Sequence, residues 1–303
     1  MSHTTPPPAA IRLLPVGETF FEAYGTVFSQ LRSVFKAAAV PFVLSILIVL
    51  LSLRARDDWF LNVLLTLLSF APYTIFGVAW HRLTLLGPAT GTPPLIPGWR
   101  RRHWRFFGYA LVVILTVYAL SIPFVLVGTL LTATAGNGTL SPMAGAAIVM
   151  AVIGFLIGVL YVVMRLSFVF PAVAVDERYA LRDSWRHTRN QGFRLLGAVI
   201  LTALPMVLII WAVSAAMGAY LMPDLSTLAA RETASVETTL QAILEENAVP
   251  LILSQLVLAA VSYVLMALVV AVISIAFRTC TGWVPARGGP PAATPGDASW
   301  NGA

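Results

Sequence analysis

The sequence predicts an all-α fold: a polytopic transmembrane helix bundle with six spans and both termini on the cytoplasmic side. Three observations carry this. The chain is 58% hydrophobic and only 11% charged, where a soluble domain carries about 25% charged residues, so lipid must solvate most of its surface. Six stretches reach the roughly 20 apolar residues that cross a bilayer as helix. Basic loops alternate with neutral or acidic ones, as an even number of crossings with positive charge held inside requires.

The polar, Pro-rich residues 1–15 are expected to be a disordered tail. They lack the pattern of a cleavable leader, so the first apolar run, near Val34, is expected to act as an uncleaved anchor. The membrane domain then covers 16–282, with spans at about 34–53, 60–80, 106–132, 143–164, 195–221 and 249–277. The second span carries Asn62, Thr66, Ser69, Pro72, Tyr73 and Thr74, and is expected inside the bundle rather than against lipid. The fourth is expected to run on to Val175, interrupted at Pro171. Residues 283–303 are Pro/Gly/Ala-rich and are expected to be a second disordered tail.

Orientation follows from the loops. The 82–105 loop holds Arg82, Arg100, Arg101, Arg102 and Arg105 and no acid; 165–194 holds Arg165, Arg178, Arg182, Arg186, Arg189 and Arg194. The 222–248 loop is acidic, and 133–142 is uncharged. Of 19 basic residues, all but Arg54, Arg56 and Arg231 fall on one side, expected to be cytoplasmic. Only Lys36 is a lysine, a usage that fits a GC-rich bacterial genome and hence a bacterial inner membrane. The single cysteine, Cys280, excludes an intrachain disulfide.

Three segments have amphipathic spacing. Residues 18–31 align Phe20, Tyr24, Val27, Phe28 and Leu31; 177–190 set Leu181 and Trp185 beside four arginines; 235–247 align Val236, Leu240, Ile243 and Leu244. Such helices suit the headgroup layer, with Phe20, Tyr24, Phe28 and Trp185 as interfacial anchors, and they suit equally well packing on the bundle.

A weak threefold repeat runs through the spans. Arg32, Arg105 and Arg194 open the odd helices; Arg82, Arg165 and Arg278 close the even ones. This describes three pseudo-repeated helical hairpins with a ring of arginines at one boundary. Arginine flanking of any inside helix end accounts for the charges equally well. Arg82, Arg105, Arg165, Arg178, Arg182, Arg186, Arg189, Arg194 and Arg278 are the candidate lipid-headgroup ligands. Pro41, Pro72, Pro171 and Pro205 are candidate helix bends, with Pro123 and Pro250 near other span interiors or edges. Gly154 and Gly158 form a GxxxG pair suited to close helix packing.

Residues 164–200 carry Arg165, the Pro171-Ala172 step, Asp176-Glu177, then Leu181, Ser184, Trp185 and Thr188, then Gly192. In these features the stretch resembles the membrane domain of the bacterial glycerophosphoryl diester phosphodiesterase family and its stand-alone multi-helix relatives. The resemblance implies a membrane module. Hydrolysis in that family resides on a separate soluble barrel after the membrane domain, and only about 25 residues follow the last span here. The implied module therefore comes without its catalyst.

The residues themselves offer no catalytic or metal set. His3, His81, His103 and His187 are scattered, and no HExxH, CxxC or GxSxG motif occurs. No acid lies centrally in a span, which disfavours a proton relay. The expectation is a non-enzymatic integral membrane protein without cofactor, a lipid-interacting scaffold or sensor in membrane homeostasis. Its partners would be anionic lipids or another membrane protein, and not nucleic acid. The alternative is a small transporter or channel for a lipid-like or small solute.

Overall fold

A computed structural model describes residues 13–54, 58–87, 98–135, 142–229 and 248–285. The expectations for most of both tails, for the 235–247 helix and for much of the polar loops lie outside the described residues. Within them the chain is all-helical. The elements are α1 (Val16–Ser29), α2 (Leu31–Arg54), α3 (Trp59–Leu68), α4 (Phe70–Leu86), α5 (Arg101–Ala135) and α6 (Pro142–Leu166). They continue with α7 (Val169–Ala174), α8 (Leu181–His187), α9 (Gly192–Ala229) and α10 (Ala248–Thr281). Six of the resulting stretches are long and apolar enough to cross a membrane, at Leu31–Ser52, Trp59–Leu86, Arg101–Thr129, Gly145–Ala174, Gly192–Tyr220 and Ile252–Thr281.

Two spans break about one turn ahead of a proline. Proline has no N–H, and its ring meets the carbonyl four residues back. For Pro72 that carbonyl belongs to Leu68, where α3 ends. For Pro171 it belongs to Ser167, just after the end of α6. The interruption of the fourth span is thus at Ser167–Phe168, not at Pro171 as the sequence suggested. Helices α2, α5 and α9 run through Pro41, Pro123 and Pro205 without a break.

Helix α10 is the centre of the bundle and touches α9, α1, α4, α2 and α7. It is buried all round near its C-terminal end, at Ala267, Leu268, Val270, Ala271, Val272, Ile273, Ile275, Ala276 and Phe277, as a helix at the centre of a bundle must be. Trp80, Phe76, Leu195 and Phe168 complete this core. Trp80 and His81 inside it find partners within the chain, as a lipid solvent demands. The Trp80 indole N–H donates to the Ala267 carbonyl at 2.9 Å. His81 Nδ1 lies 2.7 Å from Ser274 Oγ. The second span, carrying both Trp80 and His81, is the most buried of the six, in line with its polar content.

The hairpins are not packed alike. Helices α5 and α6 bury little of their apolar length. Their far halves meet each other through stacked Phe124 and Phe155, 4.4 Å apart, and otherwise expose residues such as Leu126, Met150 and Leu156. Gly154 and Gly158 have no neighbouring atom within 4 Å of where a Cβ would stand. Their expected close packing against another helix is therefore not made within the described chain.

Helix α1 packs on α10 and α9. Its buried line is Thr19, Ala23 and Val27, one position off the aromatic stripe read from the sequence. Phe20, Tyr24 and Phe28 flank it, successive rings 4.7 and 5.6 Å apart, and the Tyr24 hydroxyl donates to the Thr202 carbonyl at 3.0 Å. Burial raises the Tyr24 phenol above its ordinary pKa, which keeps that donor protonated.

Candidate functional site

The start of the third span and the turn after the fourth meet at a cavity of about 500 Å³ lined by Arg101, Arg102, Arg105, Asp176 and Arg178. Its first wall is the start of α5. The Arg100 N–H donates to His103 Nδ1 at 2.9 Å, and the His103 ring stacks on Trp99 at 5.4 Å. A backbone donor left free at the helix start is thereby satisfied. Arg101 and Arg105, one turn apart, then share a helix face.

The second wall is the turn that ends α7. The Glu177 N–H donates to the Ala172 carbonyl at 2.9 Å and the Asp176 N–H to Val173 at 3.1 Å. This is the paired bonding of a Schellman cap, whose left-handed position usually holds glycine. Here Asp176 holds it, at φ 64°, at a cost of about 1 kcal/mol relative to glycine. What the aspartate supplies in return is its carboxylate. Asp176 Oδ2 lies 2.7 Å from Arg102 Nη1 and 3.4 Å from Arg82 Nη1. Arg82 also donates to the Ala174 carbonyl at 2.9 Å, and Arg105 to the Glu177 carbonyl at 3.2 Å. The Glu177 side chain accepts from the Trp283 indole at 3.0 Å. Asp176 and Glu177 form the turn that precedes α8, and Asp183 is the acid in the first turn of that helix.

Four guanidinium groups therefore line the cavity against one carboxylate. Arginine offers a planar fork that matches phosphate and carboxylate oxygens, and the N-terminal end of α5 adds its partial positive charge. Exposed Trp99 and Trp104 flank the site, Trp104 being 64% exposed. Tryptophan at a span end marks the membrane–water interface. The arrangement is suited to holding an oxyanion at headgroup level.

Arg165 corrects the sequence reading. Its side chain does not reach for a headgroup; the residue is 5% exposed. Nε donates to Thr188 Oγ1 at 3.0 Å, Nη1 to the Tyr161 hydroxyl at 2.9 Å and Nη2 to the Trp185 carbonyl at 2.6 Å. The guanidinium lies over the Trp185 ring, 4.0 Å from its centroid. Gly192 is required beside it, since a Cβ there would come within 2.7 Å of Tyr161 and 2.9 Å of Arg165. Next to this cage Ser184 closes the break in the fourth span. Its hydroxyl donates to the Arg165 carbonyl at 2.8 Å and accepts from the Phe168 N–H at 3.1 Å.

Other arginines of the predicted rim also staple the chain to itself. Arg194 donates to the Leu14 carbonyl at 3.3 Å, and Arg278 pairs with Glu22 at 2.5 Å. Arg178, Arg182, Arg186 and Arg189 are exposed, and only Arg178 lines the cavity. The expected helix at 177–190 is shorter, with only Leu181–His187 helical. Trp185 is partly exposed, but it serves first as the lid on Arg165. Tyr179, just before α8, is held as a neutral phenol by burial and by the nearby Asp183 charge, both of which raise its pKa. Among the described residues no three His, Cys, Asp or Glu side chains are grouped to hold a metal. Sequence reasoning missed Arg101, Arg102 and Asp176 as site residues. The acid-free run Arg100–Arg102 was the available signal; Asp176 had none, because its role depends on the turn.

Six apolar spans and a basic site at their ends define a multi-pass helical membrane protein. No family model, curated protein or solved structure matches the chain.

Proposed function

We propose that this protein is a non-enzymatic integral membrane protein that binds anionic lipid headgroups and acts as a scaffold or sensor in membrane homeostasis. The observation that carries the reading is the cavity lined by four arginines and one aspartate, flanked by exposed tryptophans. Positive charge at the ends of the spans supports a cytoplasmic placement of this face and of both termini, in a bacterial inner membrane. The resemblance of residues 164–200 to the phosphodiesterase membrane domain accords with a membrane module. The structural work of that stretch is to fold α8 over Arg165 and to present the Asp176 turn.

The test is mass spectrometry of the protein extracted in its native lipid patch. The expected result is reproducible enrichment of anionic lipid over bulk membrane. Bulk composition in the patch would contradict the proposal.

A further inference from the structure

We infer that the Arg101–Arg102–Arg105–Arg178 cavity selects a phosphomonoester dianion over a monoanionic phosphodiester. The inference rests on the headgroup reading above and adds the charge class of the ligand. Four guanidinium groups face one carboxylate on the cavity wall. A phosphodiester brings a single negative charge and two free oxygens. A phosphomonoester brings about −1.5 to −2 at neutral pH and three acceptor oxygens, so it neutralises more of the excess positive charge.

The donors are placed for a third oxygen. Arg101 and Arg105 come from one face of α5 and Arg178 from the opposite wall, so donors approach from more than one direction. Arg102 Nη1 is held by Asp176 Oδ2 at 2.7 Å, so Arg101, Arg105 and Arg178 carry the donors for the ligand. A diester must also lead two substituents out of the cavity, whereas a monoester leads out one. The same chemistry belongs to a lipid headgroup and to a soluble phosphate ester.

The charged and titratable groups lining the cavity are Arg101, Arg102, Arg105, Arg178 and Asp176, with Arg82, Glu177 and His103 on the adjoining elements. Their titration acts on both ligand classes and is read from the diester. The monoester alone loses a second proton near about pH 6. Its binding should therefore tighten from acid to neutral pH, while diester binding shows no such step.

The experiment is native mass spectrometry of the full chain in detergent, titrated with phosphatidate or phosphatidylglycerol of matched acyl chains. At about pH 8 phosphatidate should bind at least ~10-fold tighter, and at about pH 5 the two should lie within ~3-fold. The Arg101→Gln, Arg105→Gln double variant should lose the preference. Glycerol 3-phosphate added at equal concentration separates the sources: displacement of phosphatidate assigns the site to a soluble ester, and retention to the lipid. Equal affinity for both lipids at both pH values overturns the selectivity and leaves the headgroup reading standing. Binding of neither lipid above phosphatidylcholine overturns both.

Discussion

Replacing Arg165 with methionine should destabilise the protein by about 2–4 kcal/mol, one of the two largest single effects expected in this fold. Two contributions oppose each other. Removing a buried cation recovers part of its desolvation penalty, which favours the variant. Against that stand three hydrogen bonds from a charged donor, each worth about 1.5–3 kcal/mol, and a desolvated cation–π contact worth up to about 2 kcal/mol. Each of the three guanidinium nitrogens donates, to Thr188, Tyr161 and the Trp185 carbonyl, so the loss wins. Arg165→Lys keeps the charge without the fork, and most of the loss should remain. Thermal unfolding in detergent micelles reads both variants against Arg178→Gln, which should leave stability unchanged. Full rescue by lysine would show that charge alone matters, and would refute the clamp.

Ser184→Ala should cost about 1–3 kcal/mol, because it strands the Phe168 N–H and removes one of the two hydroxyls that donate to the Arg165 carbonyl. Ser184 is fully buried. Its hydroxyl is the partner of both the Arg165 carbonyl and the Phe168 N–H at the break in the fourth span. Buried away from water, the Phe168 N–H would lose its partner, whereas the Arg165 carbonyl would keep the Thr188 hydroxyl at 3.1 Å. Hydrogen exchange gives the local readout: the Phe168 amide should lose protection in the variant. An amide as protected as in the parent would show that the break is closed by something else.

The spans were legible because apolar length is a local property. The six lie near the stretches read from sequence, the second extending to Leu86 and the fourth, as expected past Pro171, to Ala174. The breaks inside the second and fourth spans fall ahead of Pro72 and Pro171 because the effect of a proline falls on the carbonyl four residues earlier, at Leu68 and Ser167. The candidate site was only half legible. A basic loop is visible as composition, but Arg102 and Asp176 are brought together by the α7 cap, whose geometry no local pattern announces. The arginines divided in a way that spacing cannot reveal. Arg165 turned inward because α8 folds back over it, and Arg194 and Arg278 found partners in and around α1. The GxxxG pair on α6 matched a packing pattern, but within the described chain nothing packs there, because α5 and α6 meet through phenylalanines instead.

The central claim is that a defined pocket, not a generally basic surface, holds anionic lipid. Two triple variants of equal charge change test it most directly. One carries Arg101→Gln, Arg105→Gln and Arg178→Gln in the cavity; the other carries Arg182→Gln, Arg186→Gln and Arg189→Gln on and beside exposed α8. Binding of equal parts phosphatidate and phosphatidylglycerol is measured for each against the parent chain. The pocket account predicts a loss of about 10-fold or more for the first and less than ~3-fold for the second. Equal losses for the two would contradict it and return the site to a diffuse charged rim.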